Sequence, residues 1–287
     1  MGCTQVVVAP TTWPTEGCTS AAVTVAGEGW RTDVLLERPD GVQLAMANRF
    51  PEGPECVAAV VYAPPGFDPG LDRVGEAQAL ALADAGFATF VWDPRGRGES
   101  AGEEDANGFL SQDDFAAVVR WAASQASVDP TRVLLYSRSF GGTLAAGALA
   151  RDTTLAPLGW VDFESPGWLS DDLAYATEHT AERVQSLADA SGDPEVWFSE
   201  REAAGFMGDV AVPYHRAQGN PDHALTTLQA AIAMVNGATS SPAVRLNGVL
   251  ITEPLTEETV AAGAGDDALD PGGEAMTAAL IAAFAAE

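Results

Sequence analysis

Residues 137–141 read Ser137-Arg138-Ser139-Phe140-Gly141, closing an apolar run, "VLLY", and opening a helical one, "FGGTLAAGALA". The spacing is that of G-x-S-x-G, with small residues two before and two after a central serine. A strand-to-helix turn of that sharpness leaves no room for larger side chains, and Ser137 is small enough to replace the first glycine. A serine hydroxyl is a weak nucleophile at its own pKa, so chemistry at Ser139 requires a neighbouring base. The chain holds three histidines, His179, His215 and His223.

The elements that must position these residues alternate along the chain. "DVLLERP" and "VQLAMANRF" flank "DGV" as a hairpin. "CVAAVVYAP" (56–64), "FATFVWD" (87–93), "RVLLYS" and "LGWVDFE" (158–164) are apolar runs of the kind buried on both faces. Helical spacing is expected over 73–86, over 111–125 with a Ser or Asp cap, after the Ser139 turn, over 225–238 and over 273–286. "VAVPYHRAQ" (210–218) and "AVRLNGVLI" (243–251) are further strand patterns. Strands alternating with helices predict βαβ units and a mostly parallel sheet. Residues 1–30 read as an irregular lead-in. Residues 165–209 break the rhythm and read as a helical insertion over the carboxyl edge of the sheet, where lids sit.

Four segments in order carry a resemblance to the α/β-hydrolase superfamily, of serine hydrolase and esterase type, over roughly residues 31–287. They are the Ser139 turn, "YAPPGFDPG" (62–70), "DPRGRGESAG" (93–102) and "VPYHRAQGNPDHA" (212–224). The resemblance implies a mostly parallel central sheet with helices on both faces and 165–209 as a helical lid. It implies two backbone oxyanion donors, the N–H groups of Phe67 and Phe140. It also makes Asp93 and Arg95 turn-shaping rather than catalytic.

That family orders its triad as serine, acid, histidine. Asp222 stands where the acid is expected, but no histidine follows the last strand; Asp266 occupies about that place. His223 is therefore the expected base. Its neighbour Asp222 is a poor orienting partner, because adjacent side chains diverge. Glu164, at the end of "LGWVDFE", is better placed, which gives Ser139–His223–Glu164. His179 on the lid is the next alternative, and His215 reads as an interior strand residue. A catalytically degenerate protein that binds without turnover is the reading of a different class.

The net charge of −27 repels phosphate backbones, so nucleic acid is not an expected partner. No apolar run is long enough to span a membrane. Cys3, Cys18 and Cys56 suggest one disulfide and one free thiol in an exported bacterial protein, extracellular or in the cell envelope, with Cys3 a possible lipid anchor; a cytoplasmic location stays open. No cofactor is expected, and no His or Cys spacing suggests a metal. Trp168 and Trp197 in the insertion are expected substrate contacts, with Tyr175, Phe198 and Phe206 nearby in sequence; the insertion's own core is the alternative use. The expected activity is hydrolysis of carboxylic esters through an acyl-enzyme, with cleavage of short peptides as the runner-up.

Overall fold

A computed structural model describes residues 4–15, 18, 31–51, 56–73, 82, 85–263 and 281. Ten strands form one sheet: β1 (Gln5–Val8), β2 (Arg31–Glu37), β3 (Gln43–Arg49), β4 (Val57–Ala63), β5 (Phe87–Trp92), β6 (Val128–Arg138), β7 (Gly159–Phe163), β8 (Tyr214–Ala217), β9 (Val244–Leu246) and β10 (Val249–Leu250). Their order is β1-β2-β3-β5-β4-β6-β7-β8-β9-β10. From β5 through β4 to β9 every pairing is parallel, whereas β2–β3, β3–β5 and β9–β10 are antiparallel. The parallel strands all end at one edge, which is where Ser139, Glu164 and the loop to His223 emerge.

Every residue of β4 and β5 is buried, as the continuous apolar runs require. Alternation then divides each strand between two cores. Ala59, Val61 and Ala63 pack with α2 (Phe109–Ala123) and α3 (Gly141–Arg151), while Ala58, Val60 and Tyr62 join Leu134, Tyr136, Val161 and Phe163 on the other face. Each fully buried Val, Leu or Phe contributes about 1.5–3 kcal/mol. A four-residue helix, α1 (Gly70–Arg73), precedes residues 74–81. The helices expected over 73–86 and 273–286, like Asp266, lie almost wholly outside the described residues.

Three details depart from the sequence reading. Gln5–Val8, within the stretch expected to be irregular, pairs in parallel with β2. The 243–251 segment is not one strand: Asn247 and Gly248, at φ of 46° and 87°, turn it into the β9–β10 hairpin. That is the positive-φ pair an Asn-Gly turn favours. The cap of α2 is Gly108, which makes no side-chain bond; Asp105 accepts instead from the Leu110 and Ser111 N–H groups. Cys18 and Cys56 form a disulfide across 38 positions, worth about 4 kcal/mol by loop closure. Cys3 lies outside the described residues.

The 165–209 segment contains α4 (Leu169–Asp172), α5 (Glu178–Ala190), α6 (Pro194–Ser199) and α7 (Ala203–Phe206). Two more helices, α8 (Gln229–Gly237) and α9 (Glu257–Gly263), follow. Among the described residues no helix is long and apolar enough to cross a membrane.

Candidate active site

Ser139 follows the last residue of β6 and sits at φ 51°, in the left-handed region that non-glycine residues avoid. Its N–H donates to Phe163 O at 2.8 Å, and its carbonyl accepts from Gly142 N–H at 3.0 Å. A Cβ on Gly141 would lie 2.3 Å from Ala63 O, and one on Gly142 would lie 2.0 Å from Ser165 Oγ. Backbone strain at Ser139 is thus held by crowding that only glycine permits on its helical side. Ser137 departs from the glycine of the pattern for a visible reason: its buried hydroxyl donates to Asp162 at 2.8 Å and accepts from Trp160 Nε1 at 2.9 Å.

Glu164 follows the last residue of the neighbouring strand, β7, and has a φ of 50°. The strain aims its fully buried carboxylate at the loop after β8. Oε1 accepts from Gly219 N–H at 2.6 Å; Oε2 accepts from His223 N–H at 2.9 Å and lies 2.6 Å from His223 Nδ1. Burial alone would raise its pKa, but the His223 ring, its N–H and that of Gly219 outweigh this and hold the carboxyl below its usual value. The imidazole also stacks on Phe163, with centroids 5.8 Å apart. Asp222 lies farther off, 3.6 Å from Nδ1. Its Oδ1 accepts from the Ala224 and Leu225 N–H groups and its Oδ2 from Gln218 Nε2, so it shapes the loop that carries His223. Glu164, Asp222 and His223 offer donor atoms close enough together for a cation, but these same hydrogen bonds already occupy the carboxylate oxygens.

Ser139, Glu164 and His223 line one cavity of about 400 Å³, together with Phe67, Phe140 and a face of α5. His179 joins it from that face. His215 does not: it is buried in β8 and accepts from Gly248 N–H at 2.7 Å. The rings of Phe67 and Phe140 touch, with centroids 4.9 Å apart. The turn after β5 positions both segments. Arg97 donates to Gly66 O at 3.1 Å, and to Asn107 Oδ1 at 2.7 Å, and Asn107 donates to Phe140 O at 2.9 Å. Asp93 accepts from the Leu71 and Glu99 N–H groups, and Arg95 forks onto Asp114 at 2.6 and 2.9 Å.

Neither expected tryptophan lines the cavity. Trp197 packs with Leu169, Val184 and Ala188 against Phe140, as the insertion's own core, and Trp168 is largely exposed. Helical spacing in α5 instead turns His179, Thr180, Arg183 and Val184 inward.

The sequence reading also passed over Arg138, Asp172, Arg216 and Gln218. Asp172 lines the cavity with only 4% of its surface exposed and accepts from Gly167 N–H at 2.8 Å. Burial pushes its carboxyl up to about 6, above its ordinary 3.8. A carboxyl raised on folding binds more protons folded than unfolded, so it destabilises progressively as pH rises from 3.8 to about 6. His215 runs the other way. Burial, then Arg245, lowers it from 6.5 to about 4, so its contribution is lost as pH falls through that range. Asp172→Asn should therefore match the parent in acid and exceed its stability at neutral pH by on the order of 2–3 kcal/mol. Urea midpoints measured across that pH range check this; equal midpoints at neutral pH would refute it.

A strained serine at a strand-to-helix turn, on the carboxyl edge of a mostly parallel sheet with helices on both sides, defines the class: the protein is an α/β hydrolase. Solved structures share the fold. One is a 2,6-dihydroxy-pseudo-oxynicotine hydrolase, 18% identical over 89% of this chain and 67% of that one, with a TM-score of 0.64. Another is an esterase of Pyrococcus furiosus, 16% identical over 82% of this chain and 86% of that one, with a TM-score of 0.58. Within that class the chain belongs to the family described as X-Pro dipeptidyl-peptidase (S15 family), whose sequence model matches residues 40–189. Curated relatives include a polyketide transferase of Gibberella fujikuroi, 31% identical over 173 residues, which are 58% of this chain and 52% of that protein. The 31.7 kDa protein of the traX-finO intergenic region of Escherichia coli is 39% identical over 75 residues, 26% of each chain. The match thus spans a quarter to a half of these relatives' length.

Proposed function

We propose that this hydrolase cleaves carboxylic esters through an acyl-enzyme on Ser139, with His223 as base and Glu164 as its orienting acid. The observation that carries the reading is the 2.6 Å contact between Glu164 Oε2 and His223 Nδ1 at the cavity that Ser139 lines. Glu164 fixes the tautomer with the proton on Nδ1, which leaves Nε2 free to take the Ser139 proton. Ser139 Oγ donates to no described side chain; such bonds tighten when substrate is seated. Ser139 Oγ then attacks the ester carbonyl as its proton passes to His223. The oxyanion receives the N–H groups of Phe67 and Phe140, the latter at the N-terminus of α3. Collapse of the intermediate expels the alcohol, which takes the proton back from His223. Water, deprotonated by the same imidazole, attacks the acyl-enzyme and releases the acid and Ser139.

The family match favours one second reading, cleavage of peptides after a penultimate proline. Labelling with a fluorophosphonate separates activity from inactivity: the mass increase is expected on the peptide holding Ser139, with parallel loss of p-nitrophenyl butyrate hydrolysis. Labelling elsewhere, or none, would sink both readings. Turnover of a Gly-Pro p-nitroanilide with none of the ester would replace the first by the second. The Cys18–Cys56 disulfide supports an oxidising location, extracellular or in the cell envelope.

A further inference from the structure

All 14 basic residues of the chain are arginines, against 41 acidic residues. With carboxylates in such excess, arginines are expected to be paired. Arg38, Arg95, Arg97, Arg120, Arg151, Arg201 and Arg216 each form an ion pair. Arg138 and Arg183 do not pair with a described carboxylate, and both line the Ser139 cavity. Each is held instead on an aromatic ring. The Arg183 guanidinium lies 4.8 Å from the Phe67 centroid, and that of Arg138 lies 5.5 Å from the Phe163 centroid. Stacking holds the plane of a guanidinium and leaves its edge donors available. His179, one turn before Arg183 on α5, lines the same wall.

The cavity's carboxylates do not neutralise these two groups. Glu164 is engaged by His223, and Asp172 accepts from Gly167 N–H. The strongly negative whole-chain charge repels anions at long range, but salt screens that field beyond about 10 Å, whereas a guanidinium fork acts at contact.

Resting on the ester-hydrolase reading, we infer that the preferred substrates carry a second, ionised carboxylate, received by Arg183 on the lid and Arg138 beside Ser139. A cavity of about 400 Å³ suits the half-ester of a short dicarboxylic acid.

The test compares the p-nitrophenyl half-ester of adipic acid with p-nitrophenyl hexanoate, a neutral ester of the same chain length. The ratio of their kcat/KM values is expected to favour the half-ester by about 10- to 100-fold, and to collapse in Arg183→Gln. Binding of monoethyl adipate and ethyl hexanoate to Ser139→Ala, with and without Arg183→Gln, is measured by calorimetry as a readout independent of turnover. The same preference, lost with Arg183, is expected. Hydrolysis of both esters at a ratio near one would overturn the inference and leave the serine-hydrolase reading intact. Preferential binding of monoethyl adipate, lost in Arg183→Gln, without turnover of either ester would uphold the inference and remove the esterase reading. Equal binding of the two ligands would overturn the inference. Arg183 is exposed on the lid, so its replacement is compatible with folding.

Discussion

His223→Ala is expected to lower kcat for p-nitrophenyl butyrate by roughly a thousand- to ten-thousand-fold, with a much smaller change in KM. In the proposed mechanism the imidazole works in the transition state, taking the Ser139 proton and returning it to the leaving alcohol, so its loss is expected to fall on kcat. Ser139→Ala should fall to the same floor, and the double variant no lower, because the two groups act as one unit. Glu164→Gln should lose less than His223→Ala but more than tenfold. An amide has one acceptor oxygen: kept toward Gly219 N–H, it turns its NH2 on the His223 N–H and ring, and flipped, it leaves Gly219 N–H without an acceptor; either way it offers no charge to the imidazolium. Steady-state kinetics on these four variants and on His179→Ala decide the matter. If His223→Ala keeps most of the activity and His179→Ala loses it, the base stands on the lid and the Glu164 contact is structural. Asp222→Asn is a useful contrast, since the backbone N–H bonds to its Oδ1 are compatible with an amide.

Asp162→Asn is expected to destabilise the fold by about 3–5 kcal/mol, which lowers Tm by on the order of 10 °C. Asp162 and Arg216 are both fully buried, 2.6 Å apart, beneath the site. Burial would lower the Arg216 pKa, but Asp162 overrides it and holds the guanidinium charged. Asp162 also accepts from Ser137, Ser165 and Tyr214, while Arg216 reaches Ser165 O at 2.9 Å and Gln218 Oε1 at 2.7 Å. One nearly isosteric change therefore strands a full charge in the interior. The pair joins the Ser139 turn to the loop that carries His223, since Gln218 continues to Asp222 at 3.0 Å. Calorimetric melting of Asp162→Asn and of Asp162→Asn with Arg216→Met checks this. The double variant should recover part of the loss, because no charge is left unpaired. A single variant as stable as the parent would show that the interior solvates Arg216 without Asp162.

Local sequence was enough for the parts of this protein that chemistry dictates over short range. The apolar runs of β4, β5, β6 and β7 could only be strands between two layers, and the Ser137-to-Gly141 spacing could only suit a tight turn. Once those strands were placed in parallel, their carboxyl ends had to share an edge, so Glu164 and the loop after β8 converge near Ser139. That is why a base one loop earlier than the family's order could be suggested from sequence at all.

What required the tertiary structure was the choice among partners and walls. Glu164 could be ranked above Asp222 from sequence, but the contact itself depends on a loop that returns upon a strand end about sixty positions earlier in the chain, and no local pattern encodes that distance. The aromatic residues of the insertion look alike in sequence. Packing decides that Trp197 fills the insertion's own core while the facing side of α5 gives His179 and Arg183 to the cavity. Arg216 reads as one more charge in a strand, and only burial against Asp162 reveals it as the support beneath the site. Short-range sterics and hydrophobic alternation are written in neighbouring residues; pairing of charges across the fold is set by where distant segments come to rest.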